Sequence, residues 1–302
     1  MAKRPKIVVV GSSNTDMVVK TERIPAPGET VIGGEFVTAA GGKGANQAVA
    51  ASRLGADVTF VARIGRDVLG DQAVENFKRE GIDTSFIVRD DGAPSGVALI
   101  FVDKHGENSI VVASGSNGRL SPEDVDRAAE RIRTADAVVM QLEAPVETVA
   151  RAAEIAHKAG VRVILNPAPA GNVPMETLAK VDVLTPNESE AAHLAGTANL
   201  DVEDLGRKLL EIGVGAVILT LGSKGALLID RSGSKGFAAP KVEPVDTTAA
   251  GDAFTGALAC ALAEGKSMDD AIVFASQAAA ISVTRMGAQP SLPMRKELSI
   301  DG

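Results

Sequence analysis

The chain has 302 residues, 45% of them hydrophobic and 23% charged, the balance of a soluble globular protein with room for one large α/β domain or two small ones. Its 31 Lys and Arg against 39 Asp and Glu leave a formal charge of −8, which excludes a polycationic nucleic-acid binder. A lone cysteine, Cys260, and three scattered histidines (His105, His157, His193) exclude a disulfide scaffold and a His/Cys metal cluster, and no apolar run reaches the ~20 residues of a membrane helix.

The first six residues lead directly into an apolar run at 7–10 instead of a signal-peptide core, so the expected location is the cytosol, away from any membrane. Further short apolar runs at 58–62, 137–140, 161–165, 181–184 and 216–219 read as buried strands. Helical periodicity fills 44–54, 68–80, 123–133, 146–159 and 188–195 between them, and 250–263 and 268–283 after them. This alternation predicts a doubly wound α/β fold over 1–302, a mostly parallel sheet flanked by helices.

Two stretches, about 16–40 and 95–113, break the rhythm with short β-like runs at 30–32, 36–38, 97–102 and 109–112. They lie far apart in sequence yet both interrupt the early alternation, so they are expected to meet as a small β-sheet lid over one edge of the core; ordinary surface hairpins are the alternative. Val31, Ile32, Phe36, Val97, Leu99 and Phe101 alternate across such a sheet, and one face would suit a second copy of the chain.

The most informative segment is Asp246-Thr247-Thr248-Ala249-Ala250-Gly251-Asp252, which runs straight into a helical pattern. A glycine just inside a helix start leaves N–H groups open to an anion, and the helix dipole adds roughly half a positive charge there. Asp252 would repel a phosphate, but it suits a base that takes the proton of an attacking hydroxyl. Helix capping is the plain alternative. Thr220-Leu221-Gly222-Ser223-Lys224-Gly225 follows one strand and precedes another at 226–229, a place where backbone meets ligand or simply a hairpin turn. Cys260 to Ser267 differ from a phosphate-binding G-x-x-x-x-G-K-S loop only at the first position, but helical periodicity precedes them and no strand feeds them, so they read as a helix end with a buried thiol.

The Asp246–Asp252 segment resembles the D-T-x-x-A-G-D signature of the ribokinase-like (PfkB) family of sugar and nucleoside kinases, and Gly41-Gly42-Lys43-Gly44-Ala45-Asn46-Gln47 its N-terminal glycine-rich signature. Gly11-Ser12-Ser13-Asn14-Thr15-Asp16, Pro27-Gly28-Glu29-Thr30, Met140-Gln141-Leu142-Glu143, Asn166-Pro167-Ala168-Pro169, Thr185-Pro186-Asn187-Glu188 and Arg285-Met286-Gly287-Ala288-Gln289-Pro290-Ser291 resemble the same family. Order and spacing match along the entire chain.

The resemblance implies ATP-dependent phosphorylation of the 5-hydroxyl of D-ribose to D-ribose 5-phosphate and ADP, with Mg²⁺ on the nucleotide, K⁺ as activator and a homodimer formed through the lid. Asp252 would be the base, beside an anion nest of the Ala249, Ala250, Gly251 and Asp252 amides. Ribose would meet Asn14, Thr15, Asp16, Gly42, Lys43, Gly44, Ala45, Asn46, Glu143 and Asp252, whose acceptors and amides suit neighbouring hydroxyls. In isolation Glu143 also reads as a loop carboxylate and Asp16 as a turn former. ATP would lie along Thr220, Leu221, Gly222, Ser223, Lys224 and Gly225, with Asn187, Gly251, Asp252 and Ser276 nearby. K⁺ would take mostly backbone oxygens of Asp246, Thr248, Ser282, Arg285, Gly287 and Ser291, and Mg²⁺ would be placed through water by Asn187 and Glu190, a pair that also reads as a helix cap.

Deoxyribose, pseudouridine and fructose are alternative acceptors. The lack of Trp and Tyr, with eight Phe, weighs modestly against stacking a nucleobase. From other classes, a non-catalytic sugar sensor has no need of Asp252, and an oxidoreductase would want a G-x-G-x-x-G turn after the first strand, where Gly11-Ser12-Ser13-Asn14 stands.

Overall fold

The computed structural model describes residues 4–298. Its strands are β1 (Lys6–Val10), β2 (Asn14–Lys20), β3 (Glu35–Gly41), β4 (Asp57–Gly65), β5 (Ile87–Asp90), β6 (Gly96–Val102), β7 (Asn108–Ala113), β8 (Ala137–Met140), β9 (Arg162–Leu165), β10 (Val183–Leu184), β11 (Ala216–Thr220), β12 (Ala226–Asp230) and β13 (Gly233–Phe237). The α-helices are α1 (Lys43–Arg53), α2 (Val68–Arg79), α3 (Pro122–Arg127), α4 (Ala129–Arg133), α5 (Val146–Lys158), α6 (Met175–Leu178), α7 (Glu188–Ala195), α8 (Val202–Glu211), α9 (Ala250–Ala263) and α10 (Met268–Ser282).

Nine strands form the main sheet in the order β13-β12-β11-β10-β9-β8-β1-β4-β5, parallel from β11 to β5, with β12 and β13 added antiparallel at one edge. β1 is apolar without alternation because both of its faces are covered. Ile7 and Val9 enter the core beneath α1, α9 and α10, whereas Val8 and Val10 enter the core beneath α3, α5, α7 and α8. α9 is built mostly of small residues and is buried from Asp252 to Leu262. A Cβ on its Gly256 would lie 2.7 Å from Ala50 Cβ and 2.8 Å from the Gln47 carbonyl, so glycine is what lets α1 and α9 cross this closely. That crossing carries Asn46 and Gln47 up to Asp252.

The segments 14–41 and 96–113 pair as a separate four-stranded sheet, β3-β2-β6-β7. One face carries Asp16, Ala39, Ala98 and Val112; the other carries Met17, Val19, Phe36, Leu99, Phe101 and Val111, of which Phe36, Leu99 and Val111 are exposed. Some expectations shift. The run at 30–32 is loop, β2, β5, β13, α6 and α8 are additional, and the helix expected over 123–133 is α3 and α4, separated at Ala128. α8 contains Gly206, where an added Cβ would meet Ile229 Cδ1 at 2.0 Å and require that side chain to shift. Among the described residues, no helix is long and apolar enough to cross a membrane.

Candidate active site

The polar groups of the site stand where the parallel strands stop. Ser12 follows β1 closely, and Gln141, Asn166 and Thr185 come immediately after β8, β9 and β10. All four are buried. This is the carboxyl-end rim at which open α/β sheets bind ligands. The start of α9 and the start of α1 face each other above it.

α9 begins at Ala249, whose φ of 62° makes it the one non-glycine residue in the left-handed region among those described. An Ala there costs roughly 1–2 kcal/mol, and the turn it forces carries no side-chain cap. Ala250 donates its N–H to the Thr247 carbonyl at 3.2 Å, so it is not free for an anion. Among the described residues the N–H groups of Gly251 and Asp252 meet no acceptor, and Gly251 is exposed. Of the four residues expected to form the nest, Ala250 alone is tied back to the chain, whereas the N–H groups of Ala249, Gly251 and Asp252 have no acceptor among the described residues at the positive end of a 14-residue helix.

Asp252 itself is 5% exposed. Its Oδ2 accepts from Asn46 Nδ2 at 2.9 Å and its Oδ1 from Gln47 Nε2 at 2.9 Å. Burial raises its carboxyl; Lys43, Asn46 and Gln47 oppose that rise, and Glu143 adds to it. Asn46 Oδ1 is buried and has no partner in the protein, an acceptor that a hydroxyl could satisfy.

Around this centre sits a ring of charge. Asp16 is pushed up to about 7, chiefly by burial, with Glu143 and Asp252 adding and Lys43 opposing. For Lys43, burial pulls downward, but Asp252, Glu143, Glu190 and Asp16 outweigh it and hold the ammonium above its usual value. Glu143 is no loose loop carboxylate: its Oε2 accepts from Ser12 Oγ at 2.6 Å and from the Lys43 N–H at 2.9 Å, so it closes the start of α1. Gly42 has φ of 89° and a Cβ there would come within 2.6 Å of the Asn14 nitrogen. This close approach sets α1 against the β1–β2 link, and Thr15, Gly44 and Ala45 lie along the same two segments. Asn14, Glu143, Val112 and Pro145 line a cleft of about 330 Å³ under the small sheet, a volume in the range of small-molecule sites.

Asn117, which the sequence did not single out, secures the mouth. Its Oδ1 accepts from the Ser13 N–H at 2.9 Å, and its Nδ2 donates to the Ser13 carbonyl at 3.1 Å and to Asn14 Oδ1 at 2.7 Å. Ser12, Gln47 and Gln141 are likewise residues whose roles emerge only from the structure. Their common signal is an amide or hydroxyl at a strand end or helix start, in segments otherwise built of small and apolar residues.

The turn at 220–225 adjoins Asn187. Thr220 bridges to Asn187 and donates its N–H to the Pro186 carbonyl at 2.9 Å, while Leu221 N–H meets the Gly225 carbonyl at 2.8 Å, leaving Gly222, Ser223 and Lys224 exposed. Asn187 and Glu190 form a reciprocal helix cap: Asn187 Oδ1 accepts from the Glu190 N–H at 2.8 Å, and Glu190 Oε2 from the Asn187 N–H at 2.9 Å. Their other polar atoms are the ones left for solvent or ligand. Ser276 lies half-buried in α10, and no hydrogen bond among the described residues ties it to this turn.

Two further loops meet beside α9. Asp246 Oδ1 accepts from the Thr248 N–H and hydroxyl at 2.9 and 2.6 Å, and Oδ2 from the Gly287 N–H at 2.8 Å. Burial pushes the Asp246 carboxyl up, but these bonds outweigh it and hold it below its usual value. The Val283 carbonyl receives the N–H groups of Val245 and Asp246. The Arg285 guanidinium points away to Glu297, at 2.5 Å, so it brings no positive charge inward, and Ser282 and Ser291 are fully buried. Their hydroxyls donate to the carbonyls of Ala279 and Ala288. A carboxylate among carbonyl and hydroxyl oxygens is a donor set that fits a hard cation of low charge.

A buried carboxylate at the open end of a helix, on the carboxyl rim of a doubly wound sheet, suits group transfer to an alcohol. The comparisons agree: the pattern of the pfkB family of carbohydrate kinases matches residues 4–295, and the chain belongs to that family. It is 46% identical over 302 residues to the ribokinase of Haemophilus influenzae, covering 97% of each chain. It is 40% identical over 292 residues to the deoxyribokinase of Salmonella typhi, covering 95% of each. Among solved structures, the ribokinase of Arabidopsis thaliana complexed with ribose and ATP matches with a TM-score of 0.91 at 37% identity, covering 98% of this chain and 97% of that one.

Proposed function

We propose that this carbohydrate kinase works in the cytosol and transfers the γ-phosphoryl group of ATP to the 5-hydroxyl of D-ribose. The observation that carries this reading is Asp252, buried and held by two amide donors, at a helix end whose Gly251 and Asp252 N–H groups are open. Asp252 takes the hydroxyl proton as the sugar oxygen forms its bond to the γ-phosphorus; the bond from phosphorus to the bridging oxygen breaks and ADP leaves with the electron pair. The open amides face the charge that builds on the phosphoryl oxygens, a contribution that needs no reorganisation during the step. Asp16, Asn14, Asn46, Glu143 and Lys43 hold the sugar, and the small sheet closes over it as a lid that keeps water out.

ATP lies along Thr220–Gly225. Asn187 and Glu190 would hold Mg²⁺ through water, and the ion would supply positive charge to offset that of the phosphates. K⁺ fits the oxygens of Asp246, Thr248, Ser282, Arg285, Gly287 and Ser291, where it would stiffen the turn that holds Ala249 in its left-handed conformation. The apolar outer face of the small sheet, with Phe36, Leu99 and Val111 exposed, pairs with the same face of a second copy.

The deoxyribokinase relative makes 2-deoxyribose the second reading. Release of ADP measured over ribose, 2-deoxyribose, fructose and pseudouridine separates them: the highest kcat/KM on ribose is expected. Ribose binding without stimulated ADP release would favour a sensor, and a preference for 2-deoxyribose would move the assignment to the second reading.

A further inference from the structure

Behind Asp252 runs a chain of buried amides whose polarity is set from one fixed end. The Thr185 backbone carbonyl can only accept, and it receives Asn166 Nδ2 at 2.9 Å. Asn166 must therefore present Oδ1 to Gln47, which donates through Nε2 at 3.1 Å. The second proton of that same Nε2 goes to Asp252 Oδ1 at 2.9 Å. Gln47 Oε1 is then left facing Gln141 Nε2, which donates to it at 2.5 Å. Gln47 is fully buried, Gln141 1% exposed and Asn166 5% exposed, so water does not compete for these bonds.

Nothing in sugar binding requires this chain, because Gln47 faces the back of the carboxylate from α1. Resting on Asp252 as base, we propose that Gln47 is a positioning residue, the head of an amide relay anchored on the Thr185 carbonyl that fixes the Asp252 carboxylate in one orientation and keeps it ionised at neutral pH. An amide free to turn could present its oxygen to Asp252 instead of its N–H. The relay forbids that turn, since a flipped Gln47 would set oxygen against both Asn166 Oδ1 and Asp252. The other charged groups facing Asp252 are Lys43 from α1, Asp16 from β2 and Glu143 from the loop after β8. Of these only Lys43 favours the carboxylate, which leaves the two amide donors Asn46 and Gln47 to supply the remainder.

The test is Gln47→Met, which removes both protons at similar volume. Aspartate labelled with ¹³C at the carboxyl gives the Asp252 titration directly, its resonance identified by its absence in Asp252→Asn. The expected result is a midpoint raised by about one to two pH units in a folded protein, with kcat lowered more than sugar KM is raised and the acid limb of the kcat profile moved upward equally. Asn166→Leu, which lets Gln47 turn, is expected to shift the midpoint in the same direction by less, and reads the relay should Gln47→Met not fold. An unchanged Asp252 midpoint in a folded variant would overturn the relay. A shifted midpoint with an unshifted kcat profile would uphold the relay and contradict Asp252 as base.

Discussion

The titration of single side chains gives the sharpest consequences at residue scale. Asp16 is raised to about 7, so it gains its proton as pH falls through neutrality and loses its capacity to accept from a sugar hydroxyl through both oxygens. Sugar KM is expected to rise several-fold from pH 8 to pH 6, and Asp16→Asn to hold a high KM with little pH dependence; steady-state kinetics over that range check both. A KM equally low at pH 6 would remove Asp16 from sugar binding. Gly41 probes the same carboxylate sterically, because an added Cβ would sit 2.3 Å from Asp16 Oδ2. Gly41→Ala should therefore raise sugar KM about tenfold or more with a smaller effect on ATP KM. Asn46, Glu143 and Asp252 were legible in the sequence because they stand in recurring motifs. Gln141, Asn166 and Thr185 lie in such motifs too, but their roles depend on three strand ends, distant in sequence, meeting beside α1.

Among the elements, α9 decides the chemistry and its first turn is its weak point. Ala249 holds a left-handed conformation that glycine adopts freely and a β-branched residue resists. Ala249→Gly is expected to keep or slightly raise the melting temperature, whereas Ala249→Val should lose about 1–2 kcal/mol or more of stability and most activity. Thermal unfolding and kcat on the two variants measure this, and equal stability of Gly and Val would refute the strain. The K⁺ reading belongs at this scale as well, since Asp246 ties the turn before α9 to Gly287 at 2.8 Å. Rates should be well above those in Na⁺ or without added salt when K⁺ is present; equal rates in all three buffers would reject it. The sequence placed α9 and α10 well, because a run of small apolar residues after a glycine reads as helix. It could not show that Ala250 would spend its N–H on Thr247, which is a matter of turn geometry.

Across the whole molecule, the βα alternation made the doubly wound sheet readable, since strands covered on both faces are continuous in apolar residues. The antiparallel edge was less so: β13, Gly233–Phe237, reads Gly-Ser-Lys-Gly-Phe and is carried by pairing to β12, not by its own composition. The small sheet was legible from the short β-like runs that break the rhythm, but β2 and the cover of the sheet were not, because β7 is exposed along its full length and its burial depends on what covers it. If a second copy covers the face bearing Phe36, Leu99 and Val111, Leu99→Asp should convert a dimer to a monomer in sedimentation equilibrium and weaken sugar binding through the loosened lid. A chain that is already monomeric would remove the interface.

One carboxylate, Asp252, is central to the proposed transfer, and its role is open to test in the folded protein. Asp252 is raised by burial, so its ionised form opposes folding as pH rises above the unfolded carboxyl value of about 3.9. Asp252→Asn removes that charge, and the variant should be at least as stable at neutral pH. Rapid-quench measurement of phosphorylated sugar formed in one turnover from ribose and ATP is predicted to show the rate falling by about 10²–10⁴ with both ligands still bound. A variant that forms the product within tenfold of the unaltered rate would contradict the base role of Asp252.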